Sequence, residues 1–203
     1  MTNGNLLWKF TAGSEIHFSP VIKDGKVFVG SIDNGLYCLN EVTGDLLWNT
    51  GTEVNMRTSP TVQNDKVLTV LGEVLVCIEV GSGTQLWSVI LSNGHSSPTF
   101  YNGRVFIRTD YSSNNTLFCL DSLTGTLVWK YQTEGSIQAT PVVANGKVFI
   151  GDRGNTGRVY CLNAQDCSLI WKHAYEDDYG AEYSSAAVAN GKVVLCMGLN
   201  FMS

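Results

Sequence analysis

Cys38-Leu39-Asn40-Glu41-Val42-Thr43-Gly44-Asp45-Leu46-Leu47-Trp48 decides how this 203-residue chain folds. The pattern returns at 77–87, 119–129 and 161–171, and its tail stands at Gly4 to Trp8. Trp8, Trp48, Trp87, Trp129 and Trp171 therefore lie 40, 39, 42 and 42 residues apart. Ten residues before each of the last four tryptophans stands a cysteine: Cys38, Cys77, Cys119 and Cys161. A second marker runs in step: Ser19-Pro20, Ser59-Pro60, Ser97-Pro98, Thr140-Pro141 and Ser185-Ala186. Five residues after each proline position comes a turn residue (Gly25, Asp65, Gly103, Gly146, Gly191), then a basic residue and a valine. A period of this length is the mark of a repeat architecture.

One unit reads as four strands. Ser19 to Lys23 and Lys26 to Ser31 flank a turn at Asp24-Gly25, the hairpin signal Asn34-Gly35 leads into Leu36 to Asn40, and Thr43-Gly44 turns into Leu46 to Thr50. Valine, isoleucine and aromatic residues fill these stretches, as half-buried strands require, and no stretch has a helical period. Units of about 40 residues and four strands are propeller blades, which stack because one blade cannot bury its own faces. The expectation is an all-β chain, a β-propeller of four-stranded blades. Four complete blades fall at about 18–50, 58–90, 96–132 and 139–174, with partial blade strands at 184–203 and 5–10. Leu6 to Phe10 reads as a fourth strand. Leu199 to Ser203 is too short and off-pattern for a third, which predicts an open arc whose apolar flanks drive self-association.

The 38–48 segment and its copies resemble the tryptophan-docking motif of quinoprotein-like propellers with PQQ-like repeats, roughly A-x-D-x-x-T-G-x-x-x-W. The resemblance covers essentially the whole chain. It implies that Trp8, Trp48, Trp87, Trp129 and Trp171 pack between neighbouring blades against the glycine peptide of the next motif, at Gly44, Gly83 and Gly125. Cysteine replaces alanine at the first position of every copy. In the fourth copy Asp166-Cys167 replaces Thr-Gly, which predicts a distorted corner or a junction. Similar domains serve as scaffolds of the outer-membrane β-barrel assembly machinery, as sensor or surface modules, or as the catalytic propellers of quinoprotein dehydrogenases.

Composition narrows the classes. Hydrophobic residues at 44% and charged residues at 15% give a chain that can bury a core. A net charge of −5 and a pI near 5.1 offer no basic stripe for nucleic acid. No apolar run reaches the ~18 residues of a membrane span. Met1-Thr2-Asn3-Gly4 lacks the basic and apolar regions of a secretory signal. That reads as cytoplasmic if the chain is complete, and as periplasmic or extracellular if it is a piece of an exported one.

The four equivalent cysteines read as small buried thiols. Packed sheets lie ~10 Å apart, beyond the ~7 Å Cα separation a disulfide bridges. Cys196 reads as core-facing and Cys167 as the exposed thiol. No C-x-x-C is present, which leaves no zinc knuckle or haem attachment. The adjacent cysteine pair that the resemblance implies for quinone-dependent dehydrogenases is missing, so no cofactor, metal or catalytic residue is assigned. Asp152-Arg153-Gly154-Asn155-Thr156-Gly157 has a faint likeness to a calcium loop but lacks the alternating oxygen ligands, and reads as a turn. Asn114-Asn115-Thr116 matches a glycosylation acceptor only weakly.

In a four-stranded blade the inter-blade joints and the second hairpin loop share one face. On it lie the irregular lengths, among them Thr109 to Thr116 and the acidic Glu176-Asp177-Asp178. Function concentrates where a regular scaffold turns irregular. Two residues before each Ser-Pro marker stand His17, Arg57, His95, Gln138 and Tyr183, polar in every blade. They form either a ring of hydrogen-bonding groups at a channel mouth or a hydrated funnel. The leading expectation is a non-enzymatic propeller binding a protein, peptide or glycan there. The alternative is a fragment of a quinoprotein oxidoreductase whose catalytic blades lie outside the chain.

Overall fold

The computed structural model describes residues 4–32, 35–52, 54–91, 96–109, 115–137, 139–153, 157–175, 185–197 and 200–202, and it is all strand and turn there. The chain divides into two compact units, Met1–Ile90 and Leu91–Ser203. The first unit holds two four-stranded antiparallel sheets. One is β1 (Val21–Lys23), β2 (Lys26–Ser31), β3 (Gly35–Asn40) and β4 (Leu46–Asn49). The other is β5 (Thr61–Gln63), β6 (Lys66–Leu71), β7 (Val74–Glu79) and β8 (Gln85–Ile90).

The second unit begins with β9 (Thr99–Tyr101), β10 (Arg104–Thr109), β11 (Thr116–Asp121) and β12 (Leu127–Gln132). Next comes a five-stranded sheet of β13 (Ser136–Ile137), β14 (Val142–Ala144), β15 (Lys147–Arg153), β16 (Gly157–Asn163) and β17 (Leu169–Tyr175). Both β13 and β14 pair with β15. The last sheet orders β18 (Ala187–Ala189), β19 (Lys192–Met197) and β20 (Asn200–Met202). Four-stranded blades connected strand by strand to their neighbours are the propeller plan.

Register explains the ten-residue spacing of cysteine and tryptophan. Cys38 pairs with Trp48, Cys77 with Trp87, Cys119 with Trp129 and Cys161 with Trp171, and each ladder slips by a bulge one residue later. On the other side the same cysteines pair with Phe28, Leu68, Phe106 and Phe149. A small thiol thus lies between two large side chains, which meet beside it. The Phe28–Trp48, Phe106–Trp129 and Phe149–Trp171 ring centroids are 6.0, 5.7 and 6.2 Å apart. All four cysteines are free and fully buried. Any larger residue there would part the rings, at a cost of about 1–3 kcal/mol.

Two expectations at the ends are corrected. Residues 4–10 form no strand, because a fourth strand ladders only with the third strand of its own blade and none lies beside them among the described residues. Conversely, the last sheet has a third strand: Cys196 pairs with Phe201 and Met197 with Asn200. A hairpin partner needs backbone groups at the right separation, not the Leu-Tyr-Cys-Leu side chains whose absence argued against it.

Candidate functional site

Within each unit the strand ends sort onto two faces. On one, the first hairpin turn meets the corner after the third strand: Glu41 N–H donates to Gly25 O, Val80 to Asp65, Ser122 to Gly103 and Ala164 to Gly146. On the other, the joints between blades meet the second hairpin: Ile32 N–H donates to Glu15 O, Arg57 to Val70, Gly72 to Asn55 and Thr133 to Asn115. The first is the turn face, the second the loop face.

Corners on the turn face are built from the repeated motif. Asn40 Oδ1 accepts the N–H groups of Val42 and Thr43 at 2.8 and 3.0 Å, and Asp121 Oδ1 accepts those of Leu123 and Thr124. Glu79 and Asn163 cap the other two corners. Trp8 Nε1 donates to Glu41 O at 2.8 Å, Trp48 to Val80 O at 3.0 Å and Trp129 to Ala164 O at 3.2 Å. A β-carbon on Gly44 or Gly83 would lie 2.6 or 2.8 Å from the indole of Trp8 or Trp48, so only glycine admits the ring. Gly125 and Trp87 are both buried. Trp171 is 40% exposed, and no receiving corner for it lies among the described residues.

The Asp166-Cys167 corner, expected to be distorted or a junction, keeps the turn of the other corners. Cys167 has φ of 69°, beside 72–75° for Gly44, Gly83 and Gly125, and its N–H donates to Asn163 O at 3.1 Å. Asp166 takes the hydroxyl's place, accepting from Ser168 N–H and Oγ. The Cys167 thiol is half-buried and turns to Lys130 O at 3.6 Å.

On the loop face, the sequence-derived ring is described only in part. His17 is exposed and paired with Glu15 at 2.6 Å. Arg57 is exposed, with its backbone held on β6 and its neighbour Thr58 buried beneath, Oγ1 accepting Val70 N–H at 3.3 Å. His95, Gln138 and Tyr183 lie outside the described residues, as do Asn114 and the 176–178 acidic stretch.

The loop face of the second unit holds a network that sequence reading missed. Asp152, read from sequence as part of a turn, is the second-to-last residue of β15 and is fully buried. Its Oδ2 accepts Gly135 N–H and Tyr160 Oη–H, both at 2.7 Å, and its Oδ1 accepts Arg158 N–H at 2.9 Å. The Arg158 guanidinium stands 3.8 Å from the same carboxylate and 3.0 Å from Glu134, which also binds Lys172. Burial first, and the bond to Asp152 second, push the Tyr160 phenol well above its ordinary range. The Lys172 ammonium, with help from Arg158, holds the Glu134 carboxyl below the usual carboxylate range. Equivalent positions to Asp152 carry Ser31, Leu71 and Thr109. A carboxylate in a row of uncharged residues was the signal, because a buried charge demands partners.

The network ties the joint at Glu134 and Gly135 to β15, β16 and β17. Three protein N–H and O–H groups donate to Asp152, one of them the Tyr160 hydroxyl. The quinone and calcium implied for the oxidoreductase branch do not fit these residues. Both Asp152 oxygens already accept protein donors, the four strand cysteines lie one to a sheet, and no group of three acidic, thiol or imidazole side chains converges among the described residues.

The family described as outer membrane protein assembly factor BamB matches residues 1–89 and again 71–199. The BamB assembly factor of Nitrosomonas eutropha is 31% identical over 134 residues, covering 64% of this chain and 32% of that protein. The tetrathionate hydrolase of Acidithiobacillus ferrooxidans is 29% identical over 140 residues, 66% of this chain and 24% of that one. The chain thus spans about a quarter to a third of these relatives. A quinohemoprotein alcohol dehydrogenase from Pseudomonas putida superposes with a TM-score of 0.72 at 15% identity, over 94% of this chain and 40% of that one, a likeness of fold.

Proposed function

The chain belongs to the BamB outer membrane protein assembly factor family, and on that premise we propose that it is a non-enzymatic propeller scaffold that binds another polypeptide on its loop face. One observation carries the reading: buried Asp152 holds Arg158, which pairs with Glu134 and through it with Lys172 at the surface of the second unit. Exposed ion pairs of this kind add little to stability. Their use is a charge pattern set before a partner arrives, which lowers the ordering cost of binding and selects among partners. In the first unit, Arg57 is exposed on a joint whose backbone is anchored to β6.

The test is co-purification of the tagged chain from cells under a salt series. Lys172→Glu and Arg57→Glu should each lose a co-purifying polypeptide at unchanged melting temperature, while Lys23→Glu beside a turn-face hairpin should retain it. Loss with Lys23→Glu alone would reverse the assignment of faces. The second reading, an oxidoreductase fragment, draws on the fold shared with the quinohemoprotein dehydrogenase. Saturable micromolar binding of pyrroloquinoline quinone with calcium, coupled to dye reduction, would establish it in place of the scaffold.

A further inference from the structure

A cavity of about 420 Å³ opens on the turn face of the second unit, lined by Tyr101, Asn102, Arg104, Phe106, Gly146, Asn163, Ala164 and Gln165. It lies between the β9–β10 turn on one side and the β14–β15 and β16–β17 turns on the other. Its size is at the small end of the range for small-molecule sites, about 300–1,000 Å³. The fully buried Phe106 lines it, with Trp129 behind at 5.7 Å, and Tyr101 adds a second ring.

The polar groups are of mixed character. Tyr101 Oη accepts Gly146 N–H at 2.9 Å and keeps its own proton to donate. Arg104 gives one Nη to Asp121 at 3.0 Å, and its remaining N–H groups have no acceptor among the described residues. The side-chain amides of Asn102 and Gln165 are likewise uncommitted, each with a donor and an acceptor. Asp121, 3.0 Å from Arg104, offsets the one guanidinium charge in the lining. Donors and acceptors beside the Tyr101 ring match hydroxyl groups, each of which both gives and takes a hydrogen bond. The lining is particular to this seam: Tyr101 stands where other blades have Lys23, Gln63 and Ala144, and Gln165 where they have Val42, Gly81 and Leu123.

We propose that the turn-face cavity between the third and fourth repeats binds a neutral saccharide, one or two pyranose rings in size, through Tyr101, Arg104, Asn102 and Gln165. The site is separate from the loop face, so it stands or falls independently of the scaffold reading.

Calorimetric and NMR titrations of the purified chain with maltose, cellobiose and N,N′-diacetylchitobiose, against inorganic phosphate and acetate, test it. At least one disaccharide should bind saturably, shifting the Gly146 amide resonance, with affinity unchanged up to about 0.5 M salt, where charge interactions are screened. Gln165→Ala, an exposed change, and Tyr101→Phe, which keeps the ring, should each weaken binding about tenfold, the loss of one well-made hydrogen bond. Three outcomes would overturn the proposal: no disaccharide binding, salt-sensitive binding of phosphate alone, or saccharide binding indifferent to both variants.

Discussion

Replacing Gly83 by alanine, with Gly25→Ala as its partner experiment, isolates the contact that joins two blades. Both glycines have φ of +74°, so alanine carries the same backbone strain at each, about 1–2 kcal/mol. A β-carbon on Gly25 would meet nothing within 4 Å, whereas one on Gly83 would sit 2.8 Å from Trp48 Cδ2 and 3.0 Å from Cε3. The indole cannot retreat without losing its bond to Val80 O at 3.0 Å. Overpacking of this kind costs about 1–3 kcal/mol. Urea denaturation should therefore show Gly25→Ala losing about 1–2 kcal/mol and Gly83→Ala about 2–5 kcal/mol. In a Trp48→Ala background the Gly83 change should cost only its strain, giving a coupling of about 1–3 kcal/mol. Equal losses at the two glycines, or zero coupling, would refute the view that the Trp48 ring rests on the Gly83 peptide.

Cys167→Gly should raise stability by about 1 kcal/mol in the same assay, because it relieves a left-handed cysteine at a corner where glycine is unstrained. Tyr160→Phe should cost about 1.5–3 kcal/mol, since it strips a buried carboxylate of one donor and Glu134 N–H of its acceptor. Burial raises the Cys38 and Cys77 thiols to about 11 and Cys119 to about 12. Their folded pKa values lie above the unfolded value of 9.0, so this contribution is whole below pH 9 and is lost as pH rises through 11 to 12. Each thiol contributes at most about 1.4 kcal/mol per pH unit in that window. Denaturation midpoints should hold from neutrality to pH 9 and then fall steeply, and Cys77→Ala should make that fall shallower. A flat profile to pH 11 would contradict the burial of these thiols.

The blade plan was legible because it is written in side chains that repeat: Cys38 opposite Trp48, and each later pair in the same register. What failed at the ends depended on partners. Leu6 to Phe10 has a fourth strand's sequence but pairs with no third strand among the described residues, while Asn200–Met202 lacks the sequence and pairs through its backbone. The Asp166-Cys167 corner kept its turn because the capping chemistry survives substitution, with a carboxylate in place of a hydroxyl. The Asp152 network was not legible as a site because its members come from three strands of one blade and from the joint that precedes it. No local spacing links Gly135, Asp152 and Tyr160.

The most direct test of the scaffold reading is photo-crosslinking in living cells, with a photoreactive amino acid placed singly at Glu134, Arg57, Asn145 or Lys23. The first two positions lie on loop-face joints, the last two beside turn-face hairpins. Discrete polypeptide adducts from Glu134 and Arg57, abolished by Lys172→Glu in the Glu134 case and absent from Asn145 and Lys23, are the predicted result. Adducts confined to the turn-face positions, or none from either loop-face position, would contradict a partner-binding loop face.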